Sequence, residues 1–193
     1  MGTVRADNFS DGAGTGAPDF ATGIKVSGGF DSSGGAGVGT AALQGTHYLP
    51  QGEVYLQDGN GHGSTNNKIR RFTTTQINTG TSITYADSAT LGATFTINQT
   101  GIYHISYGDI HTADVNNALG ISVNSNQLTT SISAITLAHV AMLMYTAGNG
   151  IMITGSTTLN LTSTDIVRAH TDGSINGVDR RTWVRITQLF RTA

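Results

Sequence analysis

Cysteine is absent from the 193 residues, which removes both a disulfide frame and a thiolate metal site from consideration. Lysine is nearly absent, with Lys25 and Lys68 the only two. At a formal charge of −2 with ten Lys and Arg in all, the chain lacks the cations that neutralise a phosphate backbone, so no nucleic-acid partner is expected. No stretch approaches the ~20 consecutive apolar residues of a membrane helix, and no membrane insertion is expected. Residues 1–10 lack the basic-then-apolar order of a secretion signal, so the expected site of synthesis and folding is a cytoplasm. Charged residues make up 11% of the chain, against roughly 25% in ordinary soluble domains.

Catalytic signatures are missing as well. There is no Gly-x-Ser-x-Gly elbow. The glycine runs at 34–39 and 59–63 match neither the phosphate loop nor the dinucleotide fingerprint and have no βαβ surroundings. The six histidines show no metal-ligand spacing on a common element, and His104 and His111, seven apart on one predicted strand, point to opposite faces. Asp172-x-Ser174-x-Asn176-Gly177 carries half a calcium-loop pattern, but Trp183 stands where the closing acid belongs, so the segment reads as an Asx/Gly turn. Acid pairs such as Asp109 with Asp114, or Asp165 with Asp172, are available for glycoside cleavage, although sequence spacing does not define such a pair. The sequence reads as a protein with no cofactor, no metal and no enzymatic activity.

In place of charge the chain has 30 threonines and 26 glycines, a set that favours strands and turns. A surface rich in Thr and Asn and poor in charge suits a part of an assembly better than a free monomer. The glycines are uneven. Sixteen of the 26, and both prolines, fall within residues 1–67, where apolar residues are scattered without a period of 2 or 3.6. Such a segment buries too little surface to offset its backbone entropy alone. Residues 1–67 are therefore expected to form an extended arm and linker, with Phe9, Pro18, Phe20, Ile24 and Phe30 as candidate plugs in neighbouring proteins.

From residue 68 the texture changes to short strands and turns. Strands are expected near 69–73 and 82–85, then at 94–97 and 102–111 as a central hairpin turning through 98–101. Further strands are expected at 118–123 and 127–130. The stretch 131–147 has some helical spacing, but its β-branched content and the Gly148-Asn149-Gly150 turn favour a strand paired with 151–154. Leu159 to Thr162 reads as a short strand. The last strand, Thr182 to Leu189, alternates cleanly and should be central in its sheet. On the 102–111 strand Tyr103, Ile105 and Tyr107 share one face, and the other face is apolar too. With Trp183 they are the candidate residues for the trimer axis or the core between sheets, because rings on a threefold meet their own copies. Arg70-Arg71 and Arg180, Arg181 and Arg185 are expected to pair with Asp and carbonyl groups, the alternative being recognition of an anionic envelope sugar.

Eight to ten short strands argue for an all-β sandwich of the jelly-roll type. The order of Phe95-Thr96-Ile97, Gly101, Ile102 to Ser106, Gly120-Ile121-Ser122-Val123-Asn124, Ala147 to Ile151 and Trp183 to Leu189 resembles the trimeric jelly rolls of the tumour necrosis factor and complement globular-head type. Such domains occur at the ends of phage fibres and in phage decoration proteins. The resemblance covers roughly residues 68–193 and implies a homotrimeric knob. The N-terminal stretch from Asp11 to Phe20, continuing to Gly23-Ile24, is similar to a segment recurrent near the starts of tailed-phage virion proteins. It implies a location in the virion, with the major capsid protein or another virion protein as partner of the arm. The expected function is a capsid decoration or head-fibre protein. The alternative is a tail-fibre tip that recognises a host surface glycan through loops at 114–117 and 172–176.

Overall fold

Alternation of apolar and polar residues generates the observed elements almost everywhere. The computed structural model describes residues 52–112, 117–145, 148–173 and 178–192. Among these residues ten strands follow one another: β1 (Gly52–His62), β2 (Arg70–Gly80), β3 (Ile83–Ser88), β4 (Gly92–Ile97), β5 (Gly101–Ile110), β6 (Ala118–Val123), β7 (Val140–Tyr145), β8 (Met152–Leu161), β9 (Ile166–Thr171) and β10 (Val178–Arg191). They form two five-stranded sheets, a front sheet in the order β2-β1-β10-β5-β8 and a back sheet in the order β3-β4-β9-β6-β7. Every strand pair is antiparallel. The protein is an all-β jelly-roll sandwich, as its strand pattern implied.

The core lies between the sheets. Val54 and Leu56 of β1, Tyr103, Ile105 and Tyr107 of β5, and Val184 and Ile186 of β10 point inward from the front. Phe95 and Ile97 of β4, Leu119 and Ile121 of β6, and Val167 and Ala169 of β9 meet them from the back. Each such aliphatic side chain contributes on the order of 1.5–3 kcal/mol by leaving water. Tyr85 stacks on Phe95 with ring centroids 5.3 Å apart. The expected central position of the last strand is met, since β10 is paired on one side with β1 and on the other with β5.

Four expectations need correcting. Residues 52–62, assigned to the linker, form β1 and supply two core residues, so the sandwich begins at least 16 residues before position 68. The alternation of Glu53, Val54, Tyr55, Leu56 and Gln57 was there to be read, but it is short and runs into glycines at 59, 61 and 63. Second, 94–97 and 102–111 are not a hairpin: β4 belongs to the back sheet and β5 to the front, so 98–100 crosses between layers. Third, β7 does not pair with β8; it pairs with β6 in the back sheet, while β8 pairs with β5 in the front. Met142 and Met144 face β8 across the core, and a Cβ at Gly155 would overlap Met144 Sδ. Their proximity comes from packing, not from a shared ladder. Leu159 and its neighbours are the end of the ten-residue β8. Fourth, 127–130 is a turn, and 131–139 holds two single-turn 3₁₀ helices, Ile132–Ala134 and Leu137–His139.

That last segment explains the mixed helical and strand signal of 131–147. Residues 124–139 lie over the outer face of β6, where Ile132 and Ile135 form a satellite core with Ala118 and with Val140 packed against it. Ser122 is fully buried under the same cover, its hydroxyl 3.1 Å from His170 Nδ1.

Candidate functional site

The candidate residues separate into three places. Phe9, Pro18, Phe20, Ile24 and Phe30 lie outside the described residues. Tyr103, Ile105 and Tyr107 are fully buried between the sheets. Of their two expected positions they occupy the inter-sheet core, and the threefold-axis alternative is set aside for them. Tyr103 donates to Gln99 O at 2.6 Å and Tyr107 to Asp109 Oδ2 at 2.8 Å, which supplies the polar end that a buried phenol needs. Trp183 does not join them. It points from the opposite face of the front sheet, half-buried, over Gly108, where a Cβ would come within 2.7 Å of the indole Nε1.

That opposite face is the first candidate site. Register across β1, β10, β5 and β8 sets out three rows: Glu53, Thr187, His104 and Thr158; Tyr55, Arg185, Ser106 and Ser156; Gln57, Trp183, Gly108 and Thr154. Arg185 is paired with Glu53 and sits 5.8 Å over the Tyr55 ring. His104 Nδ1 is 3.3 Å from Thr158 Oγ1. Ile77, beside Tyr55 in the ladder, and Ile102 are half-buried, while Met152, Leu189 and Phe190 are 38–41% exposed. Apart from the internally matched Glu53–Arg185 pair, these three rows and their apolar flank carry small hydroxyls, amides, imidazole, aromatic rings and aliphatic groups. Along the neighbouring edge, where β7 ends and β8 begins, Leu143, Tyr145 and Ile151 are 36%, 57% and 47% exposed. Sequence reading missed Glu53 and Tyr55 because it placed them in the linker.

The second candidate lies at the end of the sandwich where β1, β5 and β9 finish. Arg70, fully buried, is held by Asp109 at 2.8 Å and by Thr182 Oγ1 at 3.1 Å. The Asp109 carboxylate also takes bonds from Tyr107, Thr182 and its neighbour's N–H at Ile110. Burial first, and then the Asp109 charge, push the Tyr107 phenol well above its usual range. Asp109 is thereby committed to structure rather than to acid catalysis. Asp172 Oδ2 accepts from Ala118 N at 2.8 Å, and its main-chain carbonyl accepts from Lys68 Nζ. Asp165 caps a turn, accepting from Asn124 and from Thr162 N. Among the described residues no group of three or more His, Asp and Glu side chains is placed to hold a metal ion. The remainder of the half-calcium-loop, 174–177, lies outside the described residues, as do Asp114 and its neighbours to 116. Arg71 is paired with Asp87 at 2.9 Å.

Comparison with solved structures places the architecture. Murine APRIL at pH 8.0 superposes with a TM-score of 0.53 at 10% identity, covering 72% of this chain and 98% of that one. The same protein at pH 8.5 gives 0.51 at 11% identity, again covering 72% and 98%. Pika GITRL gives 0.48 at 9% identity, covering 75% and 99%. The fold is a tumour-necrosis-factor-like jelly roll. No protein-family model matches the sequence, and no curated protein matches it. At these identities the likeness speaks for fold alone.

Proposed function

We propose that this chain is a non-enzymatic structural protein of a tailed-phage virion, a homotrimer whose subunits meet through the outer face of the front sheet. The observation that carries the assembly is the pairing of two unlike surfaces on one chain. One is a sheet face with Tyr55, Ile77, Ile102 and Trp183 and a self-matched charge pair. The other is an apolar edge bearing Leu143, Tyr145 and Ile151. Unlike surfaces that fit each other give head-to-tail contacts, and these close into a ring when the rotation allows. A threefold ring is the closure suggested by the trimeric class of jelly roll that the strand pattern resembles. Aromatic and aliphatic groups surrounded by hydroxyls and amides are the composition expected at such an interface.

The virion assignment rests on the N-terminal segment, where the stretch from Asp11 to Phe20 resembles virion proteins. Residues 1–51 serve as the anchor, and the sandwich is what they hold, in the role of a capsid decoration or head-fibre protein. Labelled antibody against the sandwich should mark virion heads in electron micrographs, and deletion of residues 1–30 should remove the label while leaving a folded trimer. Label at the tail tip would overturn the decoration role, and a deletion that abolishes the trimer would overturn the division of labour.

One feature favours the tail-tip reading with a host glycan as ligand. The described flanks of both candidate loops lie together at the end away from Gly52, where Ala118 N meets Asp172 Oδ2 and Asp172 N meets Ala118 O at 2.9 Å. Flanks held together in this way bring the two candidate stretches to one end of the sandwich, as a shared glycan site needs. Binding of the purified protein to host cells, with blocked infection, decides for that reading.

A further inference from the structure

At the end of the sandwich where β1 and β9 finish, the layers are joined by hydrogen bonds and charges. His62 Nε2 lies 2.8 Å from Thr171 Oγ1, linking the end of β1 in the front sheet to the end of β9 in the back sheet. Beside it Ile69 makes a bridge to His170, and Thr171 N donates to Lys68 O at 2.9 Å. Lys68 Nζ donates to the carbonyl of Asp172. Lys68 N reaches Leu128 O, in the segment covering the back sheet, at 3.3 Å. His170 is fully buried, with Nε2 2.9 Å from Thr130 O in that same segment and Nδ1 on Ser122. Each imidazole thus holds a different joint: His62 joins the two sheets, and His170 joins the back sheet to its cover.

The charges facing them are mostly positive. Around His62 stand Lys68 from the β1–β2 connection, Arg70 from β2 and His170 from β9, opposed by Asp172. Around His170 stand Arg168 on its own strand and Lys68. From β5, Asp109 matches the Arg70 charge at 2.8 Å, and beyond it His111 Nδ1 lies 3.9 Å from Asp172 Oδ1. A proton added to either imidazole brings another positive charge into a partly desolvated, cationic corner.

We propose that this end of the sandwich is an acid-released latch. Proton uptake by His62 and His170 parts the β1–β2 corner and the covering segment from β9, while the apolar core between the sheets stays folded. Thr171 supplies the geometric reason at His62. With a neutral imidazole accepting at Nε2, the Thr171 hydroxyl donates to it at 2.8 Å. Once Nε2 carries a proton it becomes a second donor to that oxygen, which already accepts from Gly173 N at 2.9 Å, and the hydroxyl's own proton is left with only the more distant Lys68 O, at 3.4 Å. Burial first, then Arg70 and Lys68, hold His62 down at about 4. Burial, with Arg168 and Lys68, also lowers His170 despite the Thr130 carbonyl. A histidine whose folded value lies below its free value of about 6.5 binds fewer protons closed than open. The latch is therefore complete above about pH 6.5 and weakens as pH falls toward 4.

Hydrogen exchange of the full chain, at fixed concentration and corrected for intrinsic rates, tests this between about pH 7.5 and 3.5. Near pH 4.5, protection should fall about tenfold or more at 62–70, 124–139 and 168–172, and persist at 103–107 and 184–186. His62→Gln, which keeps a hydrogen-bonding group but takes up no proton, should move the midpoint down by about half a pH unit or more. His104→Gln, on the front face, should leave the midpoint where it was. Unchanged protection at the latch, loss of latch and core together, or an identical midpoint in His62→Gln would overturn the proposal. If His62→Gln fails to fold, NMR titration of the wild-type histidines decides. A His62 midpoint below about 5.5 supports the latch, and one at or above it contradicts it.

Discussion

On the back sheet, Ala118 and Ser122 of β6 point away from the core and yet are fully buried, because the 124–139 segment folds Ile132 and Ile135 over that face. On the front sheet the corresponding rank of β10 residues, Trp183, Arg185 and Leu189, is half-buried or exposed. Over β6 the back sheet therefore closes its second face with its own chain. The front sheet keeps a face that carries aromatic rings, little charge and aliphatic flanks. Aromatic and aliphatic groups gathered on a second sheet face are buried against something, and the proposed assembly assigns that task to a second and third copy. The difference predicts that damage to the two faces will register in different measurements.

The largest effect is expected at Trp183→Asp. One unpaired carboxylate at each of the three contacts of a closed ring costs on the order of 3–5 kcal/mol per contact. The trimer should fall to monomers in sedimentation, with circular dichroism still showing a folded sandwich. Ile132→Ala is the matching change on the back face, and it empties part of the satellite core. It should cost about 2–5 kcal/mol in urea unfolding while the oligomeric state stays the same. An Ile132→Ala variant that dissociates, or a Trp183→Asp variant that unfolds without dissociating, would erase the distinction between the faces. Arg185→Ala should have the smallest effect. Its pair with Glu53 is half exposed, so unfolding stability should change by less than about 1 kcal/mol. Loss of the guanidinium stacked on Tyr55 should be detectable as faster subunit exchange in mixing experiments.

Much of the sandwich was legible because alternation survives where only one strand face meets the core. β10 could be read as a central strand from Thr182 to Leu189 alone. The inward rank Tyr103, Ile105 and Tyr107 could be recognised as buried, but not assigned to the core rather than to an axis, since both environments select the same side chains. Connectivity was harder. The turns at 98–100 and 148–151 carry ordinary hairpin residues, and nothing in their local chemistry says that the chain passes to the other layer. β1 was hidden by the glycines that follow its alternating start. The covering segment mixed two periods because its side chains pack downward on a sheet instead of pairing within it. The polar end was the least legible. His62, Lys68, Arg70, Asp109, His170 and Asp172 come from four separate stretches and are brought together only by the crossing of the two sheets.

The central claim is that the front sheet's outer face is a subunit interface, and sedimentation velocity of the full chain at neutral pH tests it most directly. With a subunit of 20.0 kDa, a single species of about 60 kDa is expected from threefold closure. A stable monomer at micromolar concentration would contradict the account.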